Sequence, residues 1–186
     1  MFFFKTQFTP NHIAMKKTTL WIMLMLVGQL CFAQLHIPDT RVTFQFPNGG
    51  WKYLETQQVD ENTTLYLYSY CAKTVTDSKG DTILPFLRIY VKQNYTGSIY
   101  NLIFSRSTKQ PFQTLDEYMT GLPTSEGMGY VGAYNSYSDN KDYQFRMIYF
   151  KDKNTAFEFR AETTLDTYDA FDKEFHDIMQ SIAIEK

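Results

Sequence analysis

The chain has 186 residues, of which 44% are hydrophobic and 20% charged, and its formal net charge is −2. This composition is ordinary for a soluble globular protein and argues against a fibrous or disordered one, and the length predicts one domain. Residues 34–186 keep 15 basic and 20 acidic residues, which is a formal charge of −5, and they contain no cluster of Lys or Arg. This negative charge makes nucleic acid and anionic membrane surfaces poor partners on electrostatic grounds.

The N-terminal segment has the layout of an export signal. Lys16–Lys17 form a short basic region, and residues 20–30 are an apolar run of eleven. Cys31–Ala33 then place small side chains at the −3 and −1 positions of a cleavage site before Gln34. The apolar run is shorter than the ~20 residues that a membrane-spanning helix needs. A lipid anchor on the cysteine is disfavoured because Leu30, and not a small residue, precedes it.

Three regions follow from this layout. Residues 1–14 are interpreted as an upstream over-extension of the reading frame. Residues 15–33 are predicted to be a signal peptide that is cleaved between Ala33 and Gln34. Residues 34–186 are then one secreted or periplasmic domain that has no membrane span after cleavage.

The first half of this domain alternates as β-strands do. The stretch "VTFQF" (42–46) predicts a short, half-buried strand that ends at Pro47 and at the turn 48–50. The stretches "TTLYLYSYCA" (63–72) and "ILPFLRIYVK" (83–92) are joined by a polar, glycine-containing turn. Two strands connected in this way predict an antiparallel pair.

The second half begins less clearly. Residues 97–110 fit neither a helical nor a strand period well and leave two alternatives open, a short helix or an excursion. Residues 114–119 begin with a capping box and predict a short helix. Three strand patterns then follow, at 127–137, 142–150 and 155–163, and the polar turns between them predict a meander.

The last segment predicts an amphipathic helix that begins at Thr167. Its apolar residues recur at spacings of three and four and form one continuous stripe, which must pack against the sheet. The residues of the stripe are Tyr168, Phe171, Phe175, Ile178 and Ile182. His176 lies off this stripe.

Three of these segments together resemble the PsbP-like fold family, which also includes a Ran-binding nuclear import factor and many exported bacterial proteins. They are "FQFPNGGW" near the start of the domain, "TLDEYMTGL" between the third and fourth strands, and the closing "TYDAFDKEFHDIMQSI". The resemblance implies an α+β fold with a single antiparallel sheet of about six strands and helices on both faces, an α/β/α sandwich. It also implies a binding or assembly role, because known members mostly act as such subunits, and it supplies no catalytic residues.

The chain carries no recognised catalytic or metal motif. It lacks a nucleophile elbow, a zinc-protease helix motif, a P-loop and a Rossmann glycine pattern. His36 and His176 have no Cys or His at ligand spacing. We therefore expect no catalytic residue, no metal site and no cofactor. Cys71 ends a strand pattern, and we expect it to be buried as a small hydrophobe.

A row of tyrosines is the unusual feature of this sequence. Tyr66, Tyr68 and Tyr70 lie on one face of a predicted strand. One interpretation, which we favour, is burial of the row under a helix with the hydroxyls at the rim. The other is an amphipathic contact surface, which Tyr130 and Tyr134 either extend or pack beside.

These observations predict a non-catalytic binding or assembly protein of the cell envelope, with an envelope protein or a small ligand as its partner. Trp51, directly after a Gly-Gly turn, is interpreted as a residue of the core. The alternative function is a carrier of a small ligand, a glycan or a hydrophobic molecule, in an aromatic-lined cleft. An enzyme is the third hypothesis.

Overall fold

The computed structural model describes residues 34–107, 112–114, 122, 127–136 and 139–186. The strands are β1 Leu35–His36, β2 Val42–Phe44, β3 Trp51–Asp60, β4 Thr63–Tyr70, β5 Val75–Thr76, β6 Thr82–Ile83, β7 Phe86–Lys92, β8 Phe112–Thr114, β9 Gly127–Ser136, β10 Lys141–Asp152, β11 Thr155–Thr164 and β12 Ala183–Ile184. The helices are α1 Ile99–Ser107 and α2 Asp172–Gln180, and a 3-10 turn at Tyr168–Ala170 precedes α2. None of these helices is long and apolar enough to cross a membrane.

Seven strands form the main antiparallel sheet, in the order β3-β4-β7-β11-β10-β9-β8. A small sheet of order β1-β2-β12 joins the two ends of the described chain, and β5 pairs with β6 as a separate hairpin. The predicted pairing of residues 63–72 with 83–92 is confirmed as β4 on β7, and the predicted meander is confirmed as β9-β10-β11. Strand β2 is buried at all three residues, and not half-buried as its alternation predicts.

The expected sandwich, a single sheet of about six strands with helices on both faces, is wrong. The described chain is mostly strand, it is divided among three antiparallel sheets, and its two helices have only nine residues each. Part of the reason is strand β3. Its exposed polar residues show no strand period in the sequence, yet it pairs along its length with β4. The expected helix at 114–119 stays a prediction, because Thr114, its N-cap, is the last residue of strand β8 and the residues that follow lie outside the described ones.

The main core lies between the large sheet and the C-terminal segment. The apolar stripe is confirmed, because Tyr168, Phe171, Phe175, Ile178 and Ile182 are each at most 4% exposed. Its backbone differs from the expectation of one helix: the stripe runs through the 3-10 turn and α2, and its last residue lies beyond the helix, just before β12.

Trp51 is confirmed as part of this core. Its ring stacks on Phe46 with centroids 5.3 Å apart, and its indole Nε1 donates a hydrogen bond of 2.7 Å to Glu174 Oε1 on α2. The aromatic body is therefore buried while its polar edge is satisfied, and β3 is fixed against the helix.

Cys71 is exposed, so the expectation of a buried cysteine is wrong. Strand β4 ends at Tyr70, one residue before the cysteine. The backbone N–H of Cys71 donates to Gly50 O at 2.7 Å, which continues the contact between the two chains just beyond the Trp51–Tyr70 pair.

The turn before Trp51 requires glycine at two positions for different reasons. Gly49 has a φ of +67° and nothing within 4 Å of the place where a Cβ would lie. Gly50 has a φ of +79°, and a Cβ there would lie 2.5 Å from Ala72 Cβ and 3.0 Å from the ring of Tyr70. Gly49 is therefore needed for its backbone conformation alone, whereas Gly50 is needed for conformation and for close packing.

We predict that Gly50→Ala destabilises the protein more than Gly49→Ala does. Each alanine would occupy the left-handed region at a cost of roughly 1–2 kcal/mol, and Gly50→Ala adds an overlap of the kind that costs about 1–3 kcal/mol in packed sites. Denaturant melts of the two variants measure the difference, and equal losses of unfolding free energy would contradict this packing.

Candidate functional site

The row Tyr66, Tyr68 and Tyr70 faces the main core and is half-buried along its length. Tyr68 meets the rings of Phe44 and Phe46 edge to face, at 5.7 Å and 5.4 Å. Tyr70 packs on two further rings of the core. Its ring meets Trp51 at 5.8 Å and Phe171 at 5.1 Å, both edge to face. Tyr70 therefore has a packing role that joins the Gly-Gly turn to the C-terminal segment.

All three tyrosines of the row lie on β4, directly beside the edge strand β3. Tyr53 on β3 pairs across the strands with Tyr68, and their ring centroids are 5.7 Å apart. Tyr53 is 54% exposed, and its hydroxyl hydrogen-bonds Thr56 Oγ1 at 2.7 Å. Burial raises the pKa of the phenols of Tyr66 and Tyr68 above the ordinary value, so both hydroxyls remain protonated donors at neutral pH. We call Tyr53, Tyr66 and Tyr68 the tyrosine edge.

The tyrosine edge borders an exposed strand. Strand β3 is the outermost strand of the main sheet, and each residue after Trp51 is exposed. Leu54 and Val59 add apolar surface, at 46% and 50% exposure. The pairing of β3 with β4 is irregular at two places, between Tyr53 and Glu55 and between Gln58 and Asp60. Bulges of this kind twist an edge and protect it from unselective pairing.

Tyr130 and Tyr134 lie on the opposite face of the sheet. Tyr130 is 4% exposed and meets Tyr149 edge to face at 5.9 Å. Tyr134 stacks on Tyr143 at 5.4 Å. Across the strands, Tyr66 lies in register with Ile89, Phe159 and Ile148. Tyr130 lies in register with a different set, Met147, Arg160 and Arg88. The five tyrosines named from the sequence therefore do not form one surface.

A buried ionic cluster lies at the centre of this second face. The carboxylate of Glu162, whose side chain is 1% exposed, accepts hydrogen bonds from Arg160 Nε at 2.7 Å and from Tyr134 Oη at 3.3 Å, and it pairs with Arg88. The guanidinium of Arg160 also lies over the ring of Phe145, 4.3 Å from its centroid. Arg160 and Glu162 lie on the same face of β11, and the structure pairs them with each other.

The cluster balances its own charge. Burial lowers the pKa of the Arg160 guanidinium, while Tyr134 and Glu158 oppose that shift. An arginine remains protonated at any physiological pH. Glu158 and Glu162 face Arg88 and Arg160, so the charges of the cluster cancel and no excess positive charge is left to bind an anion. The pairing of Arg88 with Glu162 also joins the central strands β7 and β11.

A cavity of about 290 Å³ lies beside this cluster, between the sheet and α1. It forms where the end of β3, the start of β4, the end of β7 and the start of β11 meet at one end of the sheet. The lining residues are Val59, Asp60, Thr63, Tyr90, Lys92, Leu102, Ser105, Ala156 and Glu158. The sequence did not indicate this cavity, because its walls come from four strands and from α1, which formed from a stretch without a clear period.

A second cavity, of about 240 Å³, lies among three turns at another part of the surface. Its ionic groups hold those turns together: Lys141 pairs with Asp77 and with Asp81, and the backbone N–H of Ser78 donates to Asp166 Oδ2. The hydrogen bonds from Ser78 lower the pKa of Asp166 to about 2. We therefore interpret this region as structural. Among the described residues, no group of three or more His, Cys, Asp or Glu is arranged to hold a metal ion.

No protein-family model and no curated protein matches this chain. Two solved structures share its fold. A protein from Bacteroides thetaiotaomicron VPI-5482 matches with a TM-score of 0.52 at 10% identity over 82% of this chain, and the match spans 48% of that protein. LpqN of Mycobacterium tuberculosis, described as involved in cell envelope biogenesis, matches with a TM-score of 0.50 at 11% identity over 83% of this chain and 90% of LpqN. At these identities the similarity shows the fold alone.

Proposed function

We propose that this chain is an exported protein of the cell envelope that binds another envelope component without changing it chemically. The export-signal layout of residues 15–33 supports export. The shared fold with LpqN, which is involved in cell envelope biogenesis, supports the location. The resemblance to the PsbP-like family and the lack of catalytic motifs in the sequence support a binding role.

The observation that carries the proposal is the tyrosine edge. An aromatic side chain that is half-exposed and already held by a neighbouring ring loses little freedom when a partner covers it. Tyrosine is also enriched at interfaces, because one end is apolar and the other forms hydrogen bonds. Tyr53 meets both conditions, since it lies against Tyr68 and keeps 54% of its surface exposed.

The carrier hypothesis requires an aromatic-lined cleft. Of the residues that line the two described cavities, only Tyr90 is aromatic. Their volumes also lie below the roughly 300 Å³ at which ligand pockets for drug-sized molecules begin. No feature of the described residues therefore favours a carrier of hydrophobic molecules over the contact surface.

We predict that Tyr53→Ala and Tyr66→Ala weaken partner binding by about 2 kcal/mol each, as interface hot spots do, and lower the melting temperature much less than Tyr70→Ala does. Tyr70→Ala is the matched comparison, because this ring packs between Trp51 and Phe171. It should lower the melting temperature clearly. Melts and quantitative pull-downs from envelope extract, run in parallel on the three variants, measure both effects.

Two results would contradict the proposal. If Tyr53→Ala and Tyr66→Ala lower the melting temperature as much as Tyr70→Ala does, and binding is lost only as the variants unfold, the row has a structural role alone. If the purified chain turns over a substrate, and one substitution abolishes turnover without changing the melt, the protein is an enzyme.

A further inference from the structure

The cavity beneath α1 has a lining that matches a particular class of small ligand. We propose that it binds a neutral, polyhydroxylated molecule the size of a single hexose unit of a glycan. This site lies on the face of the sheet opposite the tyrosine edge, so its ligand and the proposed envelope partner bind independently.

The polar part of the lining presents both kinds of hydrogen-bonding group. The carboxylates of Asp60 and Glu158 accept hydrogen bonds, and the ammonium of Lys92 donates them. The hydroxyl oxygens of Thr63 and Ser105 can also accept, while their protons are donated to Asp60 and to Leu102 O. Sugar hydroxyls also donate and accept at the same atom. Hydrogen bonds from such hydroxyls to an ionised carboxylate are the stronger, charge-assisted kind.

The apolar part of the lining suits the C–H faces of a sugar ring. Tyr90 contributes an aromatic ring, and Leu102 and Ala156 contribute aliphatic surface. Pockets for small molecules generally combine apolar walls with a few placed polar groups that fix orientation. The volume of about 290 Å³ limits the ligand to a small one.

The charges of the lining argue against ionic ligands. Glu158 is already balanced by the arginines of the buried cluster, and Asp60 is balanced by Lys92, so the lining has no excess charge that attracts a phosphate or another ion. The backbone N–H of Asn62 lowers the pKa of Asp60, which keeps this carboxylate ionised. The ammonium of Lys92, which lies 5.5 Å from the ring centroid of Tyr95, repels an amine. A neutral ligand is repelled by none of these charged groups.

The test measures binding of four sugars to the purified chain by saturation-transfer NMR titration. The probes are D-glucose, D-galactose, D-mannose and N-acetyl-D-glucosamine, with inorganic phosphate and spermidine as ionic comparisons. We expect saturable binding of at least one sugar, and weaker or undetectable binding of both ionic probes.

Two variants locate the site, and two serve as controls. Ser105→Trp fills the cavity from the helix, and Glu158→Gln removes a charged acceptor. Each should weaken sugar binding by about tenfold or more, the loss expected for a hydrogen bond to a charged group. Tyr100→Trp places the same side chain at a 66% exposed position of α1, on a different face of the helix from Ser105, and should bind sugar normally. Tyr53→Ala should also bind normally, which separates this site from the tyrosine edge.

The proposal is overturned if no sugar in the panel gives saturable binding, or if phosphate or spermidine binds as tightly as the best sugar. It is also overturned if Ser105→Trp leaves sugar binding unchanged. If Glu158→Gln does not fold, Ser105→Trp decides the question alone, because residue 105 is an exposed helical position.

Discussion

Phe175→Ala is expected to lower the free energy of unfolding by about 3–5 kcal/mol, the range for an aromatic side chain deleted from a core. Phe175 is fully buried, and its ring lies within about 6 Å of those of Tyr168, Phe171 and Trp51. Removing it leaves a cavity where the C-terminal segment meets β3 and the main sheet. Denaturant unfolding of the variant measures the loss.

His176→Ala is the matched control, one residue further along α2. Its side chain is 34% exposed, and its Nδ1 lies 3.5 Å from Asp177 Oδ1, which is a weak contact. We expect a change below about 0.5 kcal/mol, as for other surface substitutions. If His176→Ala destabilises the protein more than Phe175→Ala, the packing of α2 against the sheet is wrong.

Glu162→Ala is expected to cost about 3–5 kcal/mol, because removing one partner of a buried ion pair leaves uncompensated charge. Glu162 accepts from Arg160 and pairs with Arg88 across the two central strands of the main sheet. Its replacement leaves two guanidinium groups close together on a buried face. Urea melts in low and in high salt measure the loss, which salt should change little because solvent ions do not enter the cluster.

Lys173→Ala provides the comparison for an exposed ion pair. Lys173 pairs with Asp177 one helical turn away on α2, and its side chain is 87% exposed. Such a pair contributes less than about 1 kcal/mol, and salt weakens it further. Equal losses for Glu162→Ala and Lys173→Ala would show that the Arg88–Glu162–Arg160 cluster is solvated and does not hold β7 and β11 together.

The strands that could be predicted from the sequence are those with one apolar face. Strands β4, β7 and β11 alternate clearly, because one side of each packs against the main core. Strand β10 is buried on both sides, with Ile148 in one core and Met147 in the other. Strand β3 does not alternate, because it lies at the edge of the sheet and exposes both faces. Neither this strand nor the open edge that it forms was therefore predicted. For helix α1 the sequence left a short helix and an excursion open, because its nine residues bury only a narrow stripe that includes Ile103.

The candidate sites depended on register, which alternation alone does not give. A tyrosine row was visible in β4, but the contact between Tyr53 and Tyr68 exists only because β3 and β4 pair as they do. The charged alternation of β11 was visible too, whereas Arg88 joins it only through the β7–β11 register. The sequence therefore predicted which side chains share a face of one strand. Which side chains are neighbours across two strands could be read only from the structure.

Site-specific photo-crosslinking is the most direct test of the binding role. A benzophenone amino acid would replace Tyr53 on the tyrosine edge, and in a separate variant Tyr100, which is 66% exposed on α1. In cells that export the protein, we expect one discrete cross-linked product from position 53, recovered in the envelope fraction, and no such product from position 100. No product from position 53, or the same products from both positions, would contradict a contact at the tyrosine edge.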